Sequence, residues 1–341
     1  MNQLTLTNQE ISSINETLVE LSYRYPSAGD PEFLRCAGVF AHNLPGRVRT
    51  FLNDFRSLEL PSGIGLISGY PIDDWKIGRT PKHWKCSHDA LRTVEEEMLL
   101  ILFGSLLGEP LGWATQQDGH VIHDVLPIKG HEHEQLGSSS QELLTWHVED
   151  AFHPYRCDYL GMMCLRNNQR IATNVASIDA ISLSPAEVEI LFQPRFNIQP
   201  DESHLRKNKS NQLNGGDDDV EKAYDNIERM RTDPEKLAVL FGDRQSPYIR
   251  LDPYFMQRLD NDEEGQAALD SLIEKLEANL HDIVLQAGDF VFIDNYRVVH
   301  GRKPFVAKYD GTDRWLKRIN LTRDLRKSRA SRRTADSRII Y

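Results

Sequence analysis

The sequence predicts an α+β fold, a β-sandwich or barrel wrapped by helices, on three observations. The opening third has helical periodicity, the middle and last thirds break into short strand-like runs, and one polar insertion interrupts them. At 341 residues the chain is long enough to bury a sizeable core without covalent staples. It reads as one domain over 1–341, with a mainly helical scaffold plus first strands over 1–110, a β core over 111–325 and a basic tail over 326–341.

Taking the elements in order, Ile11 to Tyr25 spaces Ile14, Leu18 and Leu21 at helical intervals, and Val94 to Leu107 is a second such run. Between them GIGLISGYPID, residues 63–73, reads as a buried strand leaving a sheet at Pro71. TWHVED and YLGMMCLRN follow as short strands, separated by turn residues at His153–Pro154 and Asn167–Asn168. PYIRLD, HDIVLQAGDFVFIDN, RVVHGR and WLKRINLTRD repeat that texture. Residues 200–235 are different: they have few apolar residues, a Gly215–Gly216 break and an acidic run from Asp217 to Asp219. Such a stretch reads as a solvated loop with a short helix, or as a lid that orders over a ligand.

A formal net charge of −11 and a pI near 5.6 argue against a nucleic-acid binder and favour a small-molecule partner. Cys36, Cys86, Cys157 and Cys164 form no CxxC pair, so neither a zinc knuckle nor a disulfide framework is expected. They read as reduced thiols in a cytoplasmic protein. The start, MNQLTLTNQE, has no signal-peptide pattern, and no apolar stretch is long enough to span a bilayer. The basic run from Arg323 to Arg338 reads as a solvated tail or a subunit contact, which would permit a homo-oligomer.

The chemistry centres on His147 and Glu149. Two residues apart on a strand, they point to one face and can reach one metal ion. Two imidazoles and one carboxylate on one face of iron(II) leave three positions for a bidentate co-substrate and dioxygen. The best third ligand is His300 in DNYRVVHGR, followed by a glycine that lets the backbone turn closely around the site. Arg314, fourteen residues on, and Arg318, four further, share a face of the next strand and could each clamp a carboxylate. HEHE, residues 131–134, reads as a solvated loop; His120 and His123 read as structural or hydrogen-bonded, and Trp113 and Trp146 as core.

On residues 115–161, TQQDGHVIHDVLPIKGHEHEQLGSSSQELLTWHVEDAFHPYRCDYLG, and residues 286–326, QAGDFVFIDNYRVVHGRKPFVAKYDGTDRWLKRINLTRDLR, the chain resembles the clavaminate synthase-like iron(II)/2-oxoglutarate oxygenases, in the branch that hydroxylates free lysine or arginine. The resemblance implies a double-stranded β-helix, or jelly roll, over 111–325, and the composition of 200–235 makes it the expected lid insertion. It implies Fe(2+) on His147, Glu149 and His300, with O2 as a co-substrate. It puts the far carboxylate of 2-oxoglutarate on Arg314 with Thr173, the substrate α-carboxylate on Arg318, and the α-amino group near Gln116 or Gln117 and Glu149. Because related halogenases lack the carboxylate that Glu149 supplies, hydroxylation is expected.

A basic substrate side chain needs a carboxylate at the far end of the pocket. The candidate is Asp252 in SPYIRLDPYFM. The arginine hydroxylases that the chain resembles place two acids two residues apart here, and this chain has Tyr254 at the second position. One carboxylate with a tyrosine hydroxyl suits an ammonium group, so L-lysine, at C4 before C3, is the expected substrate, with L-arginine at C3 as the alternative. Asp252 could instead cap a turn before Pro253, with the acids Asp217 to Asp219 supplying the pairing charge, which makes arginine an equal candidate. Two other classes stay open on the residues alone, a non-catalytic jelly-roll binding protein and a zinc hydrolase.

Overall fold

The computed structural model describes residues 1–86, 92–208 and 217–341; the Gly215–Gly216 break lies outside the described residues. Four helices lead: α1 (Asn8–Arg24), α2 (Pro31–Phe40), α3 (Gly46–Ser57) and the single turn α4 (Asp74–Ile77). Thr7 starts α1 by accepting from the Glu10 backbone while Glu10 reaches back, a reciprocal cap. Buried α5 (Val94–Ser105) follows, then α6 (Pro185–Leu191), α7 (Asp218–Thr232) and α8 (Glu263–Ala278). The α8 helix was not anticipated, although Leu269, Leu272 and Leu276 are buried at helical spacing.

The strands are β1 (Asn2–Thr5), β2 (Ile64–Ser68), β3 (Glu109–Trp113), β4 (Ile122–Val125), β5 (Leu144–His147), β6 (Tyr159–Arg166) and β7 (Thr173–Ser177). After them come β8 (Leu240–Gly242), β9 (Pro247–Ile249), β10 (His281–Ile283), β11 (Phe290–Asp294), β12 (Val298–Arg302), β13 (Trp315–Thr322) and β14 (Ile339–Ile340). An eight-stranded sheet runs β1-β2-β11-β6-β13-β3-β14, with β4 also on β13, and a four-stranded sheet runs β10-β7-β12-β5. Strands β8 and β9 form a separate ribbon.

The two larger sheets pack face to face. Leu66, Met162, Val291 and Leu316 of the large sheet share one apolar cluster with Val175 and Val298 of the small one. The pleat sends alternate residues the other way, so Phe290, Phe292, Ile319 and Leu321 pack against α1, α2, α3 and α5. Gly104 permits that approach, because a Cβ there would lie 2.6 Å from Ile319 Cδ1. Behind the small sheet, Trp146, Ala176 and Val299 pack with Leu269, Leu272 and Leu276 of α8. The result is a sandwich with helices on both outer faces.

Two expectations are corrected. Residues 200–235 are not merely a solvated loop with a short helix: α7 has 15 residues and buries Val220, Ala223, Tyr224 and Ile227 on one stripe. The 326–341 stretch is a solvated tail only in part, since Arg326, Lys327, Arg329 and Arg333 are exposed while its end joins the large sheet. Ile339 and Ile340 pair with Gly112 and Trp113 in parallel, and Arg332 is buried, donating to the carbonyls of Leu325, Thr334, Ala335 and Ser337. An arginine fork that satisfies a coil's carbonyls is a structural part, not a solvated charge. Arg333 pairs with Asp217 and Asp219 at the start of α7. No helix among the described residues is long and apolar enough to cross a membrane.

Candidate metal centre and substrate pocket

The pocket opens between the two sheets, where β5 and β12 face β13. His147 and His300 are register partners across β5 and β12, with ring centroids 4.8 Å apart. Gly301 makes this pairing possible, since a Cβ there would sit 2.5 Å from the Leu144 carbonyl oxygen. Its role is therefore close strand approach, not the turn that the sequence suggested.

Strand β5 ends at His147, and Glu149 stands on the turn beyond it. Asn295 holds that turn: its Oδ1 accepts from the Glu149 backbone N–H at 2.8 Å, and its Nδ2 donates to the carbonyls of Glu149 and Cys157, both at 3.0 Å. His147 Nδ1 donates to the Thr145 carbonyl at 2.7 Å, which leaves Nε2 as the ligand atom. Glu149 Oε2 lies 3.4 Å from His300 Nε2 and 3.8 Å from His147 Nε2, and one ligand atom from each of the three lies within 4.8 Å of the others.

Two imidazole nitrogens and a carboxylate oxygen converging on one point are a fitting donor set for iron(II). Burial works against charge at Glu149, but Arg318 and the two imidazoles outweigh it and hold the carboxyl well below its ordinary value. Burial likewise opposes a proton on His147, yet the nearby Glu149 and Asp252 carboxylates raise it to about 9. His300 is shifted the other way, held below its ordinary value by burial and by the charges of His147 and Arg318.

On the facing strand, Arg318 pairs with Glu149 and donates to His123 Nδ1 at 2.7 Å and Gln116 Oε1 at 3.4 Å. Burial and the Arg318 charge hold His123 well below its usual value, so the neutral ring can accept that bond. Gln117 does not take part; its side chain bonds the backbone of Asp124 in both directions. Arg314 is buried and donates to Thr173 Oγ1 at 3.2 Å, while its Nε has no partner. Burial pushes its guanidinium down to about 10. A buried cation with an unsatisfied donor fits an anionic ligand.

Asp252 lines the same pocket and is buried, and its Oδ1 also accepts from the backbone of Tyr254 and Phe255. It is therefore both a pocket wall and the turn cap that the sequence left as an alternative. Burial raises it to about 6, and the charge of Asp201 adds to the rise. Tyr254 lies at the rim with 55% of its surface exposed.

Sequence reasoning missed Asp150, Asp201, Ser203 and His204. Asp201 and Ser203 line the pocket, and Asp150, Asp201 and His204 form a second group of potential metal ligands. Here, however, Asp150 Oδ1 meets His204 Nε2 at 3.0 Å, Asp150 Oδ2 accepts from Trp113 Nε1 at 2.7 Å, and His204 Nδ1 meets Thr115 Oγ1 at 2.7 Å. Protein groups already satisfy these atoms, so the trio is an ion-pair network. The HEHE segment is a turn that is only partly solvated: His133 is exposed and pairs with Glu142, whereas His131, Glu132 and Glu134 are half-buried, with His131 on Ser138 and Glu132 accepting from the Tyr309 hydroxyl.

Residues 94–320 match the family described as taurine catabolism dioxygenase TauD, TfdA family. The L-ornithine/L-arginine 3-hydroxylase of Catenulispora acidiphila is 46% identical over the whole of both chains. The enduracididine beta-hydroxylase of Streptomyces hygroscopicus is 44% identical over 99% of each. The crystal structure of the non-heme iron oxygenase OrfP with Fe, succinate and (3S)-hydroxy-L-Arg superposes with a TM-score of 0.95 at 44% identity, covering 100% of both chains. More distant is the L-lysine 3-hydroxylase of Catenulispora acidiphila, 27% identical over 96% of this chain and 86% of that protein.

Proposed function

Because the chain belongs to the TauD/TfdA dioxygenase family, in which it is an iron- and 2-oxoglutarate-dependent amino-acid hydroxylase, we propose that its substrate is free L-arginine and its target carbon C3. The observation that carries this reading is the pair of acids, Asp252 and Asp201, that line one pocket. A planar guanidinium offers donors in several directions and can meet two carboxylates, whereas an ammonium is a compact point charge. The lysine reading rested on Asp252 with Tyr254 alone. Asp201 supplies the second acid, and the relatives named for arginine or ornithine are the more similar ones.

In this reading the two sheets form a double-stranded β-helix, and 201–208 with α7 form a lid over it. His147, Glu149 and His300 would hold iron. Bound there with 2-oxoglutarate and dioxygen, iron(II) supplies an oxidant that removes hydrogen from an unactivated carbon, with succinate and carbon dioxide released. The protein's own task is placement. Arg314 with Thr173 takes the far carboxylate of 2-oxoglutarate, Arg318 takes the substrate α-carboxylate, and Gln116 with Glu149 faces the α-amino group. Asp252 and Asp201 take the guanidinium, so the chain is gripped at both ends and C3 faces the metal.

The protein, incubated with iron(II), 2-oxoglutarate, ascorbate and air, is expected to add one oxygen to L-arginine at C3, read by mass spectrometry and NMR. A clear preference for L-lysine, or oxygen at C4, would overturn the substrate reading.

A further inference from the structure

Residues 201–204 reach the pocket from a part of the chain that neither large sheet carries, and His204 is what anchors them. Its side chain is 0% exposed although its neighbours are mostly polar. The ring lies edge-on to Trp113 and Phe152, with centroids 5.5 and 5.0 Å away. Both nitrogens are engaged, Nδ1 by Thr115 at 2.7 Å and Nε2 by Asp150 at 3.0 Å.

Asp150 follows the metal-site residue Glu149, and its backbone takes the left-handed φ of 51°. Its second oxygen accepts from Trp113 Nε1 and from Asn320 Nδ2 at 3.2 Å, on β13 two residues beyond Arg318. A further tie runs from Gln116 Nε2 to Ser203 Oγ at 2.5 Å, and the Ser203 backbone N–H donates to Asp201 Oδ1 at 2.9 Å. The segment that presents Asp201 is thus fastened to the turn that presents Glu149.

We propose that His204 is a positioning residue for substrate recognition, a latch that holds 201–204 against the metal-bearing turn so that Asp201 faces the pocket. The inference rests on the proposed basic amino-acid substrate. Opening the latch withdraws Asp201 and loosens the grip on the side-chain cation. The 2-oxoglutarate end, built from Arg314 and Thr173 on the sheets, is untouched. A loosely held substrate lets 2-oxoglutarate and dioxygen react without it, giving succinate, carbon dioxide and water, with ascorbate and two protons supplying the two electrons and the hydrogen that reduce the second oxygen atom.

The test compares full-length wild type with His204→Ala, His204→Gln and Thr115→Val, which removes only the Nδ1 bond. In His204→Ala the KM for L-arginine should rise ~10-fold or more while that for 2-oxoglutarate stays within about twofold. The ratio of succinate to hydroxyarginine should climb above one, and His204→Gln, which keeps a donor for Asp150, should recover part of both losses. Thr115→Val should show the same split more weakly, and it decides the matter if His204→Ala does not fold. Equal changes in both KM values, or none, would overturn the latch.

Hydrogen exchange gives a second readout independent of catalysis: amides of 201–208 should exchange ~10-fold faster in the variants, with β6 and β13 unchanged. Unaltered exchange there also overturns the proposal. If the wild type hydroxylates no basic amino acid, the substrate reading fails, and the exchange result alone decides on the latch.

Discussion

Arg314 is a buried cation satisfied by one hydroxyl and, among the described residues, by no carboxylate. Such a charge costs stability until an anion arrives. Arg314→Met is therefore expected to raise the KM for 2-oxoglutarate ~100-fold while leaving the ligand-free protein as stable as wild type, or about 1 kcal/mol more so, read by urea unfolding. Asp252 behaves differently, because under the proposed arginine reading it must ionise to pair with a guanidinium. Burial holds it near pH 6, so kcat/KM for L-arginine should rise about tenfold per pH unit up to roughly that value and then level off; Asp252→Asn should abolish the slope. For the substrate-free fold the sign is opposite. The neutral form is preferred, so this stabilising contribution is full below 3.8 and is lost as pH rises through about 6. At this scale His147, Glu149, His300, Arg314 and Arg318 were singled out by spacing together with the family resemblance of residues 115–161 and 286–326, and one pocket brings them together. Asp201 and His204 were not, since their meaning depends on a contact between His204 and Asp150, 54 positions apart.

At the scale of elements, strand β14 shows how a basic, polar stretch can be structural. Ile340 is buried with Leu111 and Trp113, and Trp113 holds Asp150 through its indole N–H. Ile340→Ala should cost about 2–4 kcal/mol in urea unfolding, and the loosened Trp113 should lower turnover as well. Strands β6, β11 and β13 are runs buried on both faces, α5 is an apolar helix buried nearly all round, and α1 carries its apolar residues at helical spacing; these elements stand where the sequence put them. The tail and α7 were misjudged for one shared reason. Arg332 bonds carbonyls and Arg333 bonds the acids at the head of α7, and charge counting cannot distinguish such partners from water. Glu149 missed its predicted strand for a related reason, because Asn295, not a ladder bond, positions its backbone.

For the whole molecule, the side chains that line the pocket come from facing layers, His147 and His300 from the small sheet and Arg314 and Arg318 beside or on β13 of the large one. Ligands that bridge the layers bind only the folded sandwich, so they must stabilise it by mass action. At 100 times its dissociation constant a ligand adds about 2.7 kcal/mol. With an unfolding entropy of about 2.1 cal/mol/K per residue, a chain of this length should then melt about 4 °C higher. Iron(II) and 2-oxoglutarate together are expected to give a shift of at least that size, measured without oxygen so that no turnover occurs. Arg314→Met should keep the part due to iron and lose most of the part due to 2-oxoglutarate, whereas Glu149→Ala should lose both, because the co-substrate's keto-acid end would be held through a metal that Glu149 helps to bind. If Arg314→Met retains the full shift, the co-substrate's far carboxylate is held elsewhere and the orientation of the whole pocket must be reversed.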